Sequence, residues 1–173
     1  MIREKIIQKY VENKEVLDIG SVGQSQKYGL WNLLKKHTKS LVGIDTEKPK
    51  DKQIVQGNME TYSFKKTFDV IVAGDVLEHV VNQGLFLKNI RKHLKKNGKL
   101  IITTPNAKWF TIILRPNPTH TTWHDKHTLT RVLQINGFKV EKFSYYYGNK
   151  QHYSFLKRLL TKRQAMLVVC SKN

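Results

Sequence analysis

Short apolar runs alternate with longer amphipathic stretches along most of the chain. The apolar runs are rich in Val, Ile and Leu, which is typical of strands buried in a parallel sheet. The longer stretches repeat apolar residues at helical spacing. Strands are predicted at 15–19, 40–45, 53–56, 68–73 and 99–104, with a turn at Lys96-Asn97-Gly98 before the last. The alternation indicates βαβ units and predicts an α/β fold with a largely parallel sheet.

The C-terminal part of the chain has a different pattern. Two β-rich segments, 138–147 and 165–171, are separated by the long and basic connection 148–163. Helices are expected at 25–37, 84–94 and 128–136, and Gly137 is suited to end the last of them. The segment 105–127 holds three of the four prolines and a group of histidines, so we interpret it as a functional loop over the site.

The bulk properties limit the class of protein. A chain of 173 residues fits one domain, so 1–173 is predicted to fold as a single unit. The first residues are charged and lack the apolar core of a signal peptide, and no apolar run is long enough to cross a membrane. The single cysteine, Cys170, cannot form an internal disulfide. These observations favour a cytoplasmic protein without a transmembrane segment.

The charge of the chain is strongly positive. Lys and Arg number 31 against 13 Asp and Glu, which gives a net charge of +18. Such a surface attracts polyanions, so nucleic acid is retained as a partner to be tested. The basic residues are spread from Lys5 to Lys172 and form no aromatic-interleaved cluster, so a merely solvated surface explains them equally well.

Three motifs follow successive predicted strands. The run VLDIGSVG at 16–23 is a buried strand that ends in a glycine turn, where a ligand can approach the backbone of Gly20. Asp45 ends the next strand, and its carboxylate can accept hydrogen bonds from two ribose hydroxyls. Asn58 and Met59 follow the third strand and can bond and cover an adenine ring, although an ordinary loop would look the same. The spacing suits any adenine-ribose cofactor, dinucleotides of dehydrogenases included.

The fourth motif, FDVIVAGDVLEHV at 68–80, makes the sequence recognisable. Together with VLDIGSVG, GID, GNME and GKLIITTPN in this order, it resembles class I S-adenosylmethionine-dependent methyltransferases, especially the group whose fourth strand ends in a VLEHV-type sequence. The resemblance runs from about Val16 to Val140. It implies a Rossmann-like, seven-stranded, mostly parallel sheet with an antiparallel C-terminal hairpin and helices on both faces. The cofactor is expected across the carboxyl ends of the first strands.

The resemblance also assigns roles to single residues. Asp18, Gly20 and Gly23 would hold the methionine part of the cofactor, Asp45 the ribose, Asn58 and Met59 the adenine, and Gly74 and Asp75 the floor beneath the sulfonium. The family's usual turn has glycine where this chain has Val22 and Gln24. The pose of the methionine part therefore depends on Gly23.

Asp75, Glu78 and His79 form a D-x-x-E-H array at the methyl-transfer site. Small-RNA 2′-O-methyltransferases and a ubiquinone-pathway O-methyltransferase use a similar E-x-x-E-H array with a distant histidine. With His124 of the loop, the array would hold Mg²⁺ or Mn²⁺, which lowers the pKa of the attacking hydroxyl. In the metal-free alternative, Glu78 caps or pairs and His79 lines the pocket. Glu78, His79 and His124 are the candidate catalytic residues.

The sequence leaves three candidate functions. The first is a methyltransferase that uses S-adenosylmethionine to methylate an oxygen of a small-molecule or glycan-type acceptor. The second is an RNA 2′-O-methyltransferase, which the charge favours but which the absence of a basic and aromatic cluster disfavours. The third is a non-catalytic relative that binds nucleic acid. Few residues precede the first strand, so the cover over the acceptor is expected from 105–127 and 148–163.

Overall fold

The computed structural model describes residues 2–23, 29–109, 117–146 and 164–173. The strands are β1 (Glu15–Ile19), β2 (Ser40–Asp45), β3 (Ile54–Gln56), β4 (Phe68–Gly74), β5 (Leu94–Pro105), β6 (Phe138–Tyr146) and β7 (Ala165–Lys172). The helices are α1 (Ile2–Val11), α2 (Leu30–His37), α3 (Gln83–His93) and α4 (Lys126–Ile135), with a 3₁₀ turn at Leu77–His79. The connection 148–163 lies outside the described residues.

The described strands form one seven-stranded sheet in the order β3-β2-β1-β4-β5-β7-β6. The pairs β1–β2, β1–β4, β2–β3 and β4–β5 are parallel, whereas β7 runs antiparallel to both β5 and β6. The chain moves outward from β1 to β3 and then returns to β4 on the other side of β1. This reversal opens a crevice between the carboxyl ends of β1 and β4, where α/β sheets bind ligands. The predicted fold is confirmed.

Two apolar cores cover the two faces of the sheet. Alternate strand residues point to opposite sides, so Val16 and Val70 join one core while Leu17 and Ile71 join the other. Helices α1 and α2 cover the first face, and α3 and α4 cover the second. Helix α4 begins at a capping box in which the Asp125 carboxylate accepts from the Thr128 N–H at 2.8 Å.

Strand β5 corrects the sequence prediction. It begins at Leu94 and not at Lys99, and the predicted turn at Lys96–Gly98 is a bulge within it, because Leu94 pairs with Phe68 while Lys99 pairs with Val70. A Cβ on Gly98 would lie 3.0 Å from the Asp69 carbonyl oxygen, so glycine permits this close approach of two strands. The strand starts early because Leu94 is fully buried in the core.

Helix α1 was not predicted from the sequence. Its residues Ile7 and Val11 are fully buried and pack into the same core as α2. The helix starts beside the carboxyl ends of β4 and β6, where Arg3 meets Asp75 at 3.0 Å. Helix α1 therefore also reaches the site, and the cover from 105–127 and 148–163 stays a prediction. Within the described residues, no helix has the length and apolarity needed to span a bilayer.

Asp51, in the loop before β3, should make stability depend on pH. Hydrogen bonds from Lys35 at 2.6 Å and from the Gln53 N–H at 3.0 Å lower the pKa of Asp51 from its ordinary 3.8 to about 2. A carboxyl whose pKa falls on folding stabilises the fold above pH 3.8, and that contribution disappears as pH falls through 2. The difference in melting temperature between wild type and Asp51→Asn should shrink from about pH 6 to about pH 2. A difference that stays constant over this range would contradict the assignment.

Candidate cofactor and catalytic site

A cavity of about 660 Å³ lies at the carboxyl ends of β1, β2, β3 and β4. Seven of the residues predicted to form the site line it: Gly20, Gly23, Asp45, Asn58, Met59, Asp75 and His79. The apolar side chains of Ile19, Ile44, Val76 and Phe86 form other parts of its wall; the first three belong to the sequence motifs, but none of the four was predicted as a site residue. The loops that follow four strands thus meet in one crevice, as the parallel sheet requires.

The turn after β1 is built around Gly20. This residue has φ of 79°, a conformation that side chains with a Cβ rarely adopt, and its N–H donates to the Ile44 carbonyl at 2.9 Å. A Cβ at Gly20 would lie 2.5 Å from Val76 Cγ2. Among the described residues, a Cβ at Gly23 would meet nothing within 4 Å. Gly20 is therefore required by the geometry of the turn, whereas Gly23 borders the cavity.

Two predicted cofactor residues lie behind the described wall of the cavity. Asp18 is fully buried, and its carbonyl accepts from the Ser21 hydroxyl at 2.7 Å. Gly74 ends β4 and faces helix α2, where a Cβ would lie 3.1 Å from Leu30 Cδ2. Neither residue lines the cavity as the structure describes it. Both support the turns that do line it.

Asp45 is held rigidly at the end of β2. One carboxylate oxygen accepts from the Val22 N–H at 2.8 Å, and the other accepts from the Glu47 N–H at 3.0 Å. Each carboxylate oxygen has capacity for a further hydrogen bond. Asn58 accepts from the Glu60 N–H at 2.8 Å, and the buried Met59 is fixed by its carbonyl, which accepts from Asn89 at 2.7 Å. This side of the cavity is preorganised for a polar ligand.

Asp75 follows β4 with φ of 55°, so its backbone is in the left-handed region. The Asp75 N–H donates to the Thr103 carbonyl at 2.9 Å, and the Thr103 hydroxyl donates to Asp75 Oδ1 at 3.2 Å. Arg3 Nη1 donates to Asp75 Oδ2 at 3.0 Å. Burial raises the pKa of Asp75, while the charge of Arg3 acts in the opposite direction. Sequence reasoning did not find Arg3, because no local pattern links positions 3 and 75.

Glu78, His79 and His120 form a compact group with one ligand atom each within 4.8 Å of the others. Glu78 is 2% exposed, and burial, together with the charge of Asp75, raises its pKa to about 8. His79 Nδ1 donates to the Thr119 carbonyl at 3.1 Å, which leaves the Nε2 lone pair available. The rings of His79 and His120 pack edge to face at 4.7 Å. Burial and His79 lower the pKa of His120, which favours its neutral form.

His124, the histidine chosen from the sequence, lies elsewhere. It is 5% exposed, and its Nε2 is 3.1 Å from the Gln83 amide nitrogen, which also donates to the Leu77 carbonyl. The loop is fastened to the 3₁₀ turn at Thr121, whose N–H donates to the Glu78 carbonyl at 2.8 Å. The hydrogen bond of Thr121 to Glu78 places the neighbouring His120, and not His124, in the group with Glu78 and His79.

Comparison with known proteins identifies the family. The sequence profile of a methyltransferase domain matches residues 3–142, which is most of the chain. The chain belongs to the class I S-adenosylmethionine-dependent methyltransferases. The match includes the cavity residues from Gly20 to His79 and also Arg3 and His120 of the described site.

The methyltransferase is similar in sequence to curated ubiquinone biosynthesis O-methyltransferases. It is 42% identical to the one from Bradyrhizobium diazoefficiens over 45 residues, which cover 26% of this chain and 18% of that protein. It is 28% identical to the one from Rickettsia canadensis over 116 residues, or 61% of this chain and 49% of that protein. The chain thus spans less than half the length of these relatives.

Solved structures share the fold of the methyltransferase. An S-adenosylmethionine-dependent methyltransferase from Archaeoglobus fulgidus aligns with a TM-score of 0.76 at 19% identity, over 99% of this chain and 92% of that chain. One from Mesorhizobium loti aligns with a TM-score of 0.73 at 12% identity, over 99% and 96%. At such identities the likeness establishes the architecture alone.

The cavity of the methyltransferase fits its family's cofactor. Its volume of about 660 Å³ is within the roughly 300–1,000 Å³ of pockets that hold small ligands. Asp45 offers an anionic acceptor pair, Met59 an apolar surface and the Gly20 turn a close backbone approach. These are the groups that a ribose, an adenine and an amino-acid tail require.

The Glu78–His79–His120 group also fits a divalent cation. Glu78 Oε2 is buried and makes no hydrogen bond within 3.5 Å in the described part of the chain, although the Thr104 hydroxyl lies close enough to lower the pKa of Glu78, so this oxygen can still accept a ligand. The Thr119 carbonyl accepts from His79 and orients its ring, as backbone carbonyls commonly do for metal-binding histidines. One carboxylate with two imidazoles suits Mn²⁺ or a later transition metal better than Mg²⁺, which prefers oxygen ligands.

Proposed function

We propose that this methyltransferase transfers a methyl group to a hydroxyl oxygen of a small-molecule or glycan-type acceptor at the Glu78–His79–His120 group. The observation that carries the proposal is the position of this group: His79 belongs both to it and to the wall of the cofactor cavity. The similarity to proteins named ubiquinone biosynthesis O-methyltransferases supports oxygen as the atom methylated.

Each part of the site has a task in this reaction. The bound cofactor supplies a methyl group that its sulfonium already activates, so the protein must align the acceptor and exclude water. The hydroxyl of the acceptor has to lose its proton as it attacks. A neutral imidazole of His79 or His120 can take that proton. A divalent cation at Glu78, His79 and His120 would lower the pKa of the hydroxyl.

A methyl-transfer assay with labelled S-adenosylmethionine tests the proposal. Small hydroxyl compounds, oligosaccharides and RNA are offered as acceptors, each with Mn²⁺, with Mg²⁺ or with EDTA. Labelled small-molecule or glycan product that disappears in EDTA supports both the acceptor class and the cation. Undiminished turnover in EDTA would show that the reaction needs no cation, and the histidines would then act as bases. Failure to bind the cofactor at millimolar concentration in a calorimeter would overturn the assignment of activity.

RNA is the second candidate acceptor, favoured by the net charge of +18. Contacts to RNA phosphates release counterions, so RNA binding falls steeply as salt rises. Labelled RNA that appears only at low salt, with no product from the small acceptors, would support a 2′-O-methyltransferase. Equal binding of RNA at low and high salt would contradict this alternative. A protein that binds RNA but no cofactor would be the non-catalytic relative.

Asp45→Ala should weaken binding of the cofactor. The substitution removes an acceptor that is held in the cavity by Val22 and Glu47 and that can take a ribose hydroxyl. Hydrogen bonds to a charged group contribute about 1.5–3 kcal/mol, so the Kd should rise roughly 10- to 100-fold. Calorimetry with S-adenosylmethionine measures the change. Asp51→Asn, another carboxylate variant outside the cavity, serves as control and should bind as the wild type does. An unchanged Kd for Asp45→Ala would remove Asp45 from the site.

A further inference from the structure

We infer that Arg3 limits the cation affinity of the Glu78–His79–His120 group by holding Asp75 out of it. The inference rests on the cation site proposed above and concerns a residue on a different element, helix α1. The D-x-x-E-H array would supply Asp75 as a further ligand, yet the compact group consists of Glu78, His79 and His120.

The ion pair between Arg3 and Asp75 is largely removed from water. The Arg3 side chain is 10% exposed, and its Nη1 lies 3.0 Å from Asp75 Oδ2 across 72 positions of sequence. A buried guanidinium is costly unless a carboxylate pairs with it. Tyr146 also bonds to Arg3 and fixes the guanidinium from the side of β6. Arg3 is therefore a built part of the site and not a surface residue that happens to reach it.

Both oxygens of the Asp75 carboxylate are engaged. Oδ2 accepts from Arg3, and Oδ1 accepts from the Thr103 hydroxyl at 3.2 Å. Each oxygen can still accept a further bond, but the two donors fix the orientation of the carboxylate, so a cation that took Asp75 as a ligand would have to compete with them. The positive charge of Arg3 lies beside Asp75, which lines the same cavity as His79, and it repels a cation bound at the group. Loss of Arg3 removes the repulsion and frees an oxygen, so both effects raise cation affinity.

Titration with Mn²⁺ tests the role of Arg3 without any enzymatic reaction. Electron paramagnetic resonance follows free Mn²⁺ as protein without cofactor is added. Arg3→Met should bind Mn²⁺ about tenfold more tightly than the wild type, which corresponds to about 1.4 kcal/mol. Arg3→Lys, which keeps the charge and a donor, should stay within about twofold of the wild type. In Arg3→Met with Asp75→Asn, most of the gain should disappear because the freed ligand is gone.

The single variant Asp75→Asn tests the same inference if Arg3→Met does not fold. It leaves the charge of Arg3 uncompensated, so Mn²⁺ should bind several-fold more weakly than in the wild type. Equal Mn²⁺ affinity in wild type and Arg3→Met would overturn the inference, and so would a double variant as tight as Arg3→Met. Absence of Mn²⁺ binding in every variant also overturns it. If the wild type binds no Mn²⁺ but still binds S-adenosylmethionine, the proposed methyl transfer is retained and only the proposed cation site is rejected.

Discussion

Replacing Gly20 with alanine is expected to lower the affinity for S-adenosylmethionine at least tenfold. The new Cβ would lie 2.5 Å from Val76 Cγ2, in a residue whose φ of 79° already disfavours a side chain. Strain of this kind costs roughly 1–3 kcal/mol. Relief requires the turn after β1 or the wall at Val76 to move, and both border the cavity. Calorimetry gives the change in Kd, and thermal unfolding gives the loss of stability.

Gly23→Ala is the matched control for this substitution. It adds the same methyl group three residues further along the same turn, where no described residue lies within 4 Å of the new atom. Its stability should stay close to that of the wild type, whereas a loss of cofactor affinity would support the role that the resemblance implies for Gly23, which lines the cavity. If Gly20→Ala binds the cofactor as well as Gly23→Ala does, the turn has no close contact with the ligand. The role implied for Gly23 by the family resemblance would be contradicted by a control that binds normally.

Replacing Glu78 with glutamine should lower kcat by roughly 10²- to 10⁴-fold, the usual contribution of a positioned proton-transfer or cation-binding group. The substitution keeps the shape of the side chain but removes a carboxyl that can lose its proton and bind a cation. Glu78 does not line the cavity, so the Kd for the cofactor should change little. His120→Ala should act in the same way, because His120 completes the same group. Initial rates at saturating cofactor measure the loss.

Two histidines of the same region serve as controls. His127→Ala removes an exposed imidazole at the start of α4 and should leave kcat unchanged. His124→Ala removes a buried imidazole that contacts Gln83, so lower stability is expected before any change in rate. Full activity in His120→Ala, combined with an inactive but folded His124→Ala, would show that His124 is the catalytic histidine, as predicted from the sequence, and that His120 is not.

The sheet and its strand pattern could be predicted from the sequence because the relevant signals are local. Apolar runs mark the strands, and the motifs after them mark their carboxyl ends, where a parallel sheet collects its functional residues. The start of β5 could not be predicted, because Lys96, Asn97 and Gly98 have the sequence of a turn. In the structure these residues form a bulge beside Asp69, and the strand continues on both sides of it. Helix α1 was not predicted because the charged residues between its apolar positions obscure the helical spacing of Ile7 and Val11, which the structure buries.

The candidate site was predictable in its cofactor half and less so in its catalytic half. Gly20, Asp45 and Met59 belong to motifs at strand ends, so their convergence follows from topology. The choice among His120, His124 and His127 depends on how the loop is fastened, which Thr121 decides through its hydrogen bond to Glu78. The spacing of these histidines in the sequence does not predict which of them lies beside Glu78. The pair of Arg3 and Asp75 depends on the docking of an entire helix.

The reversal of the chain between β3 and β4 has a consequence for folding kinetics. The cavity has walls from β1 and from β4, and these strands pair only after a long loop has closed, with Val16 beside Val70. Such closure is slow, and no ligand site exists before it. A ligand that binds the complete sheet alone stabilises it by mass action. Added S-adenosylmethionine should therefore slow unfolding while leaving the refolding rate unchanged, in contrast to a ligand that binds one pre-formed half.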